Sequence, residues 1–519
     1  MSRTRAFAVL AVFAVIVVVL STPAISQTPK GGGTLNVTQR EDLPQGFAIH
    51  ETSTISSVWP VMPCFNNLVL FDPLKKTESM ETIIGELAEK WSWQDNYRNV
   101  VFFLRKNVKW HDGQPFTAKD VKFTFDMLRE APDASAKLRI NPRKDWYSNI
   151  QNIETPDPHT VVFHLSRVVI DFPYYVGSST YQAVILPANW PGHFAKNPIG
   201  TGAFKLVEYV PGQRARYIKN PTYWNKGLPY LDEIRFTLNV GPEAQVTQLL
   251  GGSVDYATGI SENSIPVLRA NPNVKIRAAH SAFYNGIFVR TDKAPFNDKR
   301  VRQAMALCLD RRAVITGVQH GFGLIGNDHV VSRVFPLFSP IAQRTQDFAR
   351  ARTLLSAAGY PHGFSATLTT TSDTADLVSL ALVAQQMWKR VGINVKLKPE
   401  PGSVYYNSDW LQAPLSITEW ASRPTPSQML NLAYRSTAVW NASHWVNHTF
   451  DRLTNGLDAT LDFTKRKAIV KQIERLMTDD VPSLVPAFND TVYFIGSNVQ
   501  GITPNPDGNT VWKRVSLSS

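Results

Sequence analysis

The chain has 519 residues, 43% of them hydrophobic and 18% charged, and a formal net charge of +12. That is the composition of a soluble globular protein with room for two or three cored domains. Lys and Arg are scattered among acids with no block of five or six, so the basic balance does not point to a nucleic acid or a membrane surface. With only two cysteines, Cys64 and Cys308, no disulfide scaffold or Cys-based nucleophile motif is indicated. Cys308 falls in a helical pattern that suits a small buried residue, so two free buried thiols are expected.

The first element is a basic n-region, Arg3 and Arg5, followed by an uninterrupted apolar run over 6–20. Ala24 and Ser26 have the small-residue spacing of a cleavage site, so residues 1–26 are expected to be a signal peptide and the mature protein periplasmic. No Cys lies near the cleavage point, which argues against a lipid anchor. Arg3 and Arg5 are not adjacent, so a twin-Arg route is not suggested.

Residues 34–38 alternate as a first strand. The loop after it, 39–60, carries Phe47, His50, Glu51 and Trp59 among turn formers. A strand is expected at 100–104, then a tight turn at Asp112-Gly113. Thr117 is a candidate N-cap with Asp120 three residues on and Val121, Phe125 and Leu128 at helical spacing. Residues 160–165 form a clean strand pattern. The stretch 197–261 reads as two strands around the Pro211-Gly212 turn, a strand with Ile234, Phe236 and Leu238 on one face, and a short helix ended by Gly251-Gly252. Residues 284–289 are apolar and extended. Asn297 or Asp298 caps a helix whose Val301, Met305, Cys308 and Leu309 share a face. Residues 364–397 read as strand–helix–strand, so a mixed α/β sheet is expected there. A further helix follows at 463–477.

The words PIGTGAFKLVEY, NPTYW, GLPYLDEIRF and QLLGGSVDYA, in this order and spacing, resemble the extracytoplasmic solute-binding proteins of the peptide/opine/nickel family of ABC importers. ELAEKW, LRKNVKWHDGQPFTAKDV and KAPFNDKRVRQAMALCLDRRAVI extend the resemblance across most of the chain. It implies an α/β, two-lobed periplasmic binding protein (type II, venus-flytrap) with mixed sheets and an extra α+β subdomain inserted in the first lobe. The implied layout is 27–70, 187–283 and 489–519 for the first lobe, 71–186 for the insertion, and 284–488 for the second lobe. It also implies a monomer that captures a peptide or other small solute, needs no cofactor and works with permease subunits and cytoplasmic ATPases.

Phosphate-cradling G-x-x-x-x-G-K-[ST] and G-x-S-x-G words are absent, so the chain is not expected to be an enzyme. His111-Asp112 sits in a reverse turn with no second ligand nearby. His444 and His448 are four apart without the Glu of a zincin; with Glu419 they frame the remote alternative of a secreted metal-dependent hydrolase. A metal chelate or haem, which some members of the resembled family take, remains open as ligand.

In family members that bind peptides, the second-lobe loop near 417–445 carries an Asp that pairs with the peptide's amino group. Here Ala421, Ser422 and Arg423 stand in that region, with Glu419 the nearest acid. Arg423 is suited to a carboxylate or phosphate, and Trp420, Trp440 and Trp445 to a stacked ring or to core packing. The expected ligand-binding set is Phe47, His50, Trp59, Tyr284, Asn285, Trp420, Arg423, Trp440 and Asn441. An oligopeptide is the default solute, and an anionic opine or sugar derivative is the alternative.

Overall fold

The computed structural model describes residues 29, 31–52, 55–72, 75, 79–177, 183–189 and 194–518. The signal segment expected over 1–26 lies outside them. A continuous mixed sheet ties the two lobes together. In the first lobe it runs Phe204–Val210, Arg214–Lys219, Glu233–Thr237, Thr34–Thr38 and Tyr256–Ala257. In the second it runs Leu415–Trp420, Ser365–Thr371 and Asn394–Glu400. The strands Val274–Val289 and Ala487–Gly496 lie between the two groups.

Side-chain alternation explains why these segments take their places. In Glu233–Thr237, Ile234 and Phe236 are buried while Arg235 and Thr237 face solvent. A one-residue slip would turn that apolar pair outward, so the register with Thr34–Thr38 is pinned by burial. Leu35, Val37, Tyr217, Ile234 and Phe236 form the first lobe's core. In the second lobe, Ser365–Thr371 and Asn394–Glu400 pair in parallel, which requires a crossover, and the helix Ala375–Lys389 supplies it. Its Leu377, Leu380, Ala381, Ala384 and Trp388 are buried against Met305 and Leu368. Trp388 also donates its indole N–H to the Met305 carbonyl at 3.0 Å, so this large ring is buried with its polar handle met.

The inserted subdomain has its own four-stranded antiparallel sheet, in the order Ala88–Gln94, Asn99–Leu104, Thr160–Leu165, Ile150–Asp157. The helix Ala118–Leu128 covers it with Val121, Phe125 and Leu128. The Thr117–Asp120 capping box forms as the sequence indicates, with the Thr117 N–H donating to Asp120 at 2.7 Å. His111 is built into the first lobe: burial lowers its pKa to about 4, and its ring contacts Gly200 and Gly202.

The 16-residue strand Val274–Val289 serves both lobes. Residues 274–280 pair with 490–496, and residues 284–289 pair with 415–420. The register shifts between His280 and Phe283, a bulge that falls between these two stretches. Bulges bend and twist a strand, so this is where the chain turns from one lobe to the other. Ser281 holds the bulge by donating to the Asn489 carbonyl at 2.7 Å.

Cys64 packs in the first lobe's core and Cys308 in the second lobe's core, and both thiols are free. Burial pushes each up to about 12.

Candidate ligand site between the lobes

The crossing strands floor a cavity of about 400 Å³ between the lobes. Asn285 and Glu419 reach it from a directly opposed pair on Val274–Val289 and Leu415–Trp420. Opposed residues of an antiparallel pair point to the same face, so one register fixes both. Trp59 reaches the cavity from the far wall, where it packs on Gly508. Gly508 has φ +74°, and a Cβ there would meet the Trp59 ring at 2.9 Å, so only glycine permits this approach.

The cavity wall is acidic. Asp373, Asp376, Glu419, Asp490 and Asp507 line it, and Arg40 is the cation among the lining residues. Arg40 is itself paired with Glu41 at 2.7 Å. Burial raises the Asp490 pKa, and the hydrogen bond from His280 at 2.7 Å opposes that rise. Asp373 accepts from the Gly402 N–H at 3.0 Å. Two neutral polar atoms, Asn285 Oδ1 and Trp59 Nε1, are buried without a hydrogen-bond partner among the described residues. Buried polar atoms of this kind are costly unless matched, and a polar ligand matches them. A cleft lined by several carboxylates favours an ammonium group over a carboxylate.

Of the residues expected from sequence, the structure brings Trp59 and Asn285 together on this cavity, with Glu419 beside them. It places the others elsewhere. Phe47 is 1% exposed and packs on Tyr209 and Tyr217 in the first lobe's core. His50 is buried against the Val184 carbonyl at 2.8 Å, and burial lowers its pKa to about 3. Tyr284 is fully buried, its hydroxyl 3.2 Å from that of Tyr434. Trp420 and Trp440 form a triangle with Trp410, ring centroids 5.9 to 6.0 Å apart. Asn441 holds its own loop, donating to the Trp445 carbonyl at 2.9 Å. Arg423 lines a different cavity.

The sequence reading missed Asp373, Asp376, Asp490 and Asp507. One signal was available for Asp373: it follows the carboxyl end of the strand Ser365–Thr371, and open α/β sheets bind ligands at that end of their strands.

His444 and His448 do not share a helix face. His444 has φ +48° and lies before the helix His448–Ala459, which His448 opens. His444 contacts the Leu411 carbonyl at 2.9 Å, and His448 faces solvent. Among the described residues, no group of His, Cys, Asp and Glu is arranged to hold a metal ion.

The model of the bacterial extracellular solute-binding proteins, family 5 (Middle), matches residues 82–441. The chain belongs to this family. This solute-binding protein is 25% identical over 502 residues to the dipeptide-binding protein of Escherichia coli K12, covering 91% of the chain and 92% of that relative. It is 26% identical over 460 residues to di/tripeptide-binding protein 1 of Pseudomonas aeruginosa UCBPP-PA14, covering 83% and 84%. The same two-lobed fold is seen in the periplasmic binding protein DppA from Helicobacter pylori in complex with peptide STSA, with TM-score 0.80, 23% identity and coverage of 94% and 99%. It is seen as well in AgaA from A. tumefaciens R10 in complex with agropinic acid, with TM-score 0.78, 23% identity and coverage of 94% and 99%. Among the described residues of the solute-binding protein, no helix is long and apolar enough to cross a membrane.

Proposed function

We propose that this solute-binding protein is the periplasmic receptor of an ABC importer and that its solute is a short peptide whose amino group enters the acidic cavity. The observation that carries this reading is the wall of carboxylates around Glu419, which stands beside Asn285 on one sheet face with Trp59 on the far wall of the cavity. An ammonium group desolvated by closure needs a carboxylate within contact distance, and Glu419 stands on the strand next to the crossing strand. The chain is read as a monomer that binds without turnover, presents its closed face to the permease subunits, and is exported by the segment 1–26. The names of its peptide-binding relatives accord with this.

The test is calorimetry on the mature protein with free and N-acetylated peptides. Binding of one free peptide per chain, lost on acetylation, supports the peptide reading. Equal binding of acetylated peptides, or chemical turnover of the solute, overturns it.

A further inference from the structure

Behind the crossing strand Ala487–Gly496 lies a separate cavity of about 250 Å³, in the second lobe. Neighbouring residues of a strand point to opposite faces, and this strand uses both: Asn489 lines the inter-lobe cavity and Phe488 lines the one behind it. The segment that continues from the strand Gly323–Ile325 supplies another wall, placing every second residue on the cavity: Ile325, Asn327, His329 and Val331. Phe338 and Ile341 complete the lining, and the exposed Arg333 and Pro340 mark its mouth.

Most of this lining is apolar, and its polar members differ. Asn327 is spent within the protein: its amide donates to the Ala342 carbonyl at 3.0 Å and accepts from the Gln343 side chain at 3.2 Å and the Arg344 N–H at 2.8 Å. His329 is 2% exposed, and its Nδ1 is buried with no hydrogen-bond partner among the described residues. Burial lowers its pKa to about 4, so the imidazole is neutral and calls for no counter-ion. A buried polar atom left unmatched is costly. A neutral imidazole has one donor and one acceptor nitrogen, and a hydroxyl, which both donates and accepts, meets either tautomer.

We propose that this cavity is a second small-molecule site, for a compact apolar ring that carries one hydroxyl, as a phenol does. An apolar cavity of about 150 Å³ holds benzene, so one of about 250 Å³ admits a substituted ring. The site goes beyond the receptor reading, because its occupant and the transported solute lie on opposite faces of one strand. Two contacts carry occupancy to the place where the lobes meet. Ser332, next to Val331, donates to the Ser281 carbonyl at 2.9 Å, and Ser281 holds the bulge through the carbonyl of Asn489, the neighbour of Phe488. A molecule that braces Val331 and Phe488 therefore stiffens the bulge from behind, and its coupling to solute binding runs both ways.

The test titrates the full mature chain with para-fluorophenol and para-fluorotoluene, which share a shape and differ in the hydroxyl, and reads binding by fluorine NMR. The phenol is expected to bind once per chain, about 2- to 10-fold more tightly than the toluene, the range of one hydrogen bond. In His329→Leu the two bind alike. In Ile341→Trp the indole fills the mouth and neither binds. Each variant's melting temperature shows that it folds. With the phenol bound, amide hydrogen exchange slows over 281–283 and 488–489. Binding of neither probe, equal binding of both by the wild-type protein, binding that survives Ile341→Trp, or unchanged exchange at the bulge overturns the inference, and each leaves the receptor reading standing.

Discussion

Asn285 and Glu419 stand directly opposite each other on antiparallel strands, and both face the cavity between the lobes. Asn285 lies on the strand that serves both lobes, three residues past its bulge. The pair therefore couples the ligand's polar end to the place where the lobes meet. Glu419→Gln keeps the shape and removes the charge. Affinity for free-amino peptides should fall about 10- to 100-fold, as for loss of a charge-assisted hydrogen bond. Glu419 is exposed to the cavity, so the ligand-free melting temperature should hold. Calorimetry paired with thermal melts reads both.

The inserted subdomain is tied to the second lobe by ion pairs. Arg466, on the helix Phe463–Asp480, meets Asp171 at 2.7 Å, and both side chains are buried. Arg167 and the Ile170 N–H both reach Asp458 close by. Asp171→Ala leaves the Arg466 charge buried, a loss of about 3–5 kcal/mol in the closed arrangement. Solute affinity should drop and the radius of gyration of the liganded protein should rise in small-angle scattering. The double variant Asp171→Ala with Arg466→Leu should recover much of the loss, because no uncompensated charge remains.

Glu474 is fully buried on that same helix and accepts from the Ser339 N–H at 3.1 Å. Burial pushes its pKa up to about 8, with Lys471 and Lys467 opposing. The folded state thus holds a proton that the unfolded chain releases near its usual value of 4.5. Stability from this group is complete below that value and is lost as pH rises towards about 8. The melting temperature should decline from pH 5 to pH 8.5, and Glu474→Gln should flatten the decline.

Gly508→Ala should disturb the site without touching a charge. The added Cβ meets Trp59 at 2.9 Å, and the φ of +74° is strained for alanine. A loss of about 1–3 kcal/mol in stability is expected, together with weaker solute binding as Trp59 leaves the cavity wall. Chemical denaturation and calorimetry check the two effects.

The thiols give a simple check on the cores. Cys64 and Cys308 are buried in separate lobes with their pKa raised to about 12. Native protein should resist alkylation by iodoacetamide, and reductant should leave the melting temperature unchanged. Denatured protein should label at both positions by mass spectrometry.

Local patterning made much of the fold legible. The alternation at 233–237, the capping box at Thr117 and the strand–helix–strand unit over 365–400 each have a short-range cause that a sequence displays. The site was less legible because its residues converge from distant turns. Asp373, Glu419, Asp490 and Asp507 meet only after the two crossing strands are in place. Aromatic and basic residues in one loop could not be sorted by sequence either: Trp420 packs in the second lobe, while Arg423, three positions on, points into a cavity. Which cavity a residue of 421–423 lines is set by tertiary packing, which no periodicity records.

The most direct test of the central claim is native mass spectrometry of the mature protein purified from its own periplasm. The account predicts one short peptide with a free amino group per chain, released unchanged on denaturation and depleted in Glu419→Gln. A protein that is always empty and is stabilised by no peptide, opine or sugar acid, or a solute returned chemically altered, would contradict it.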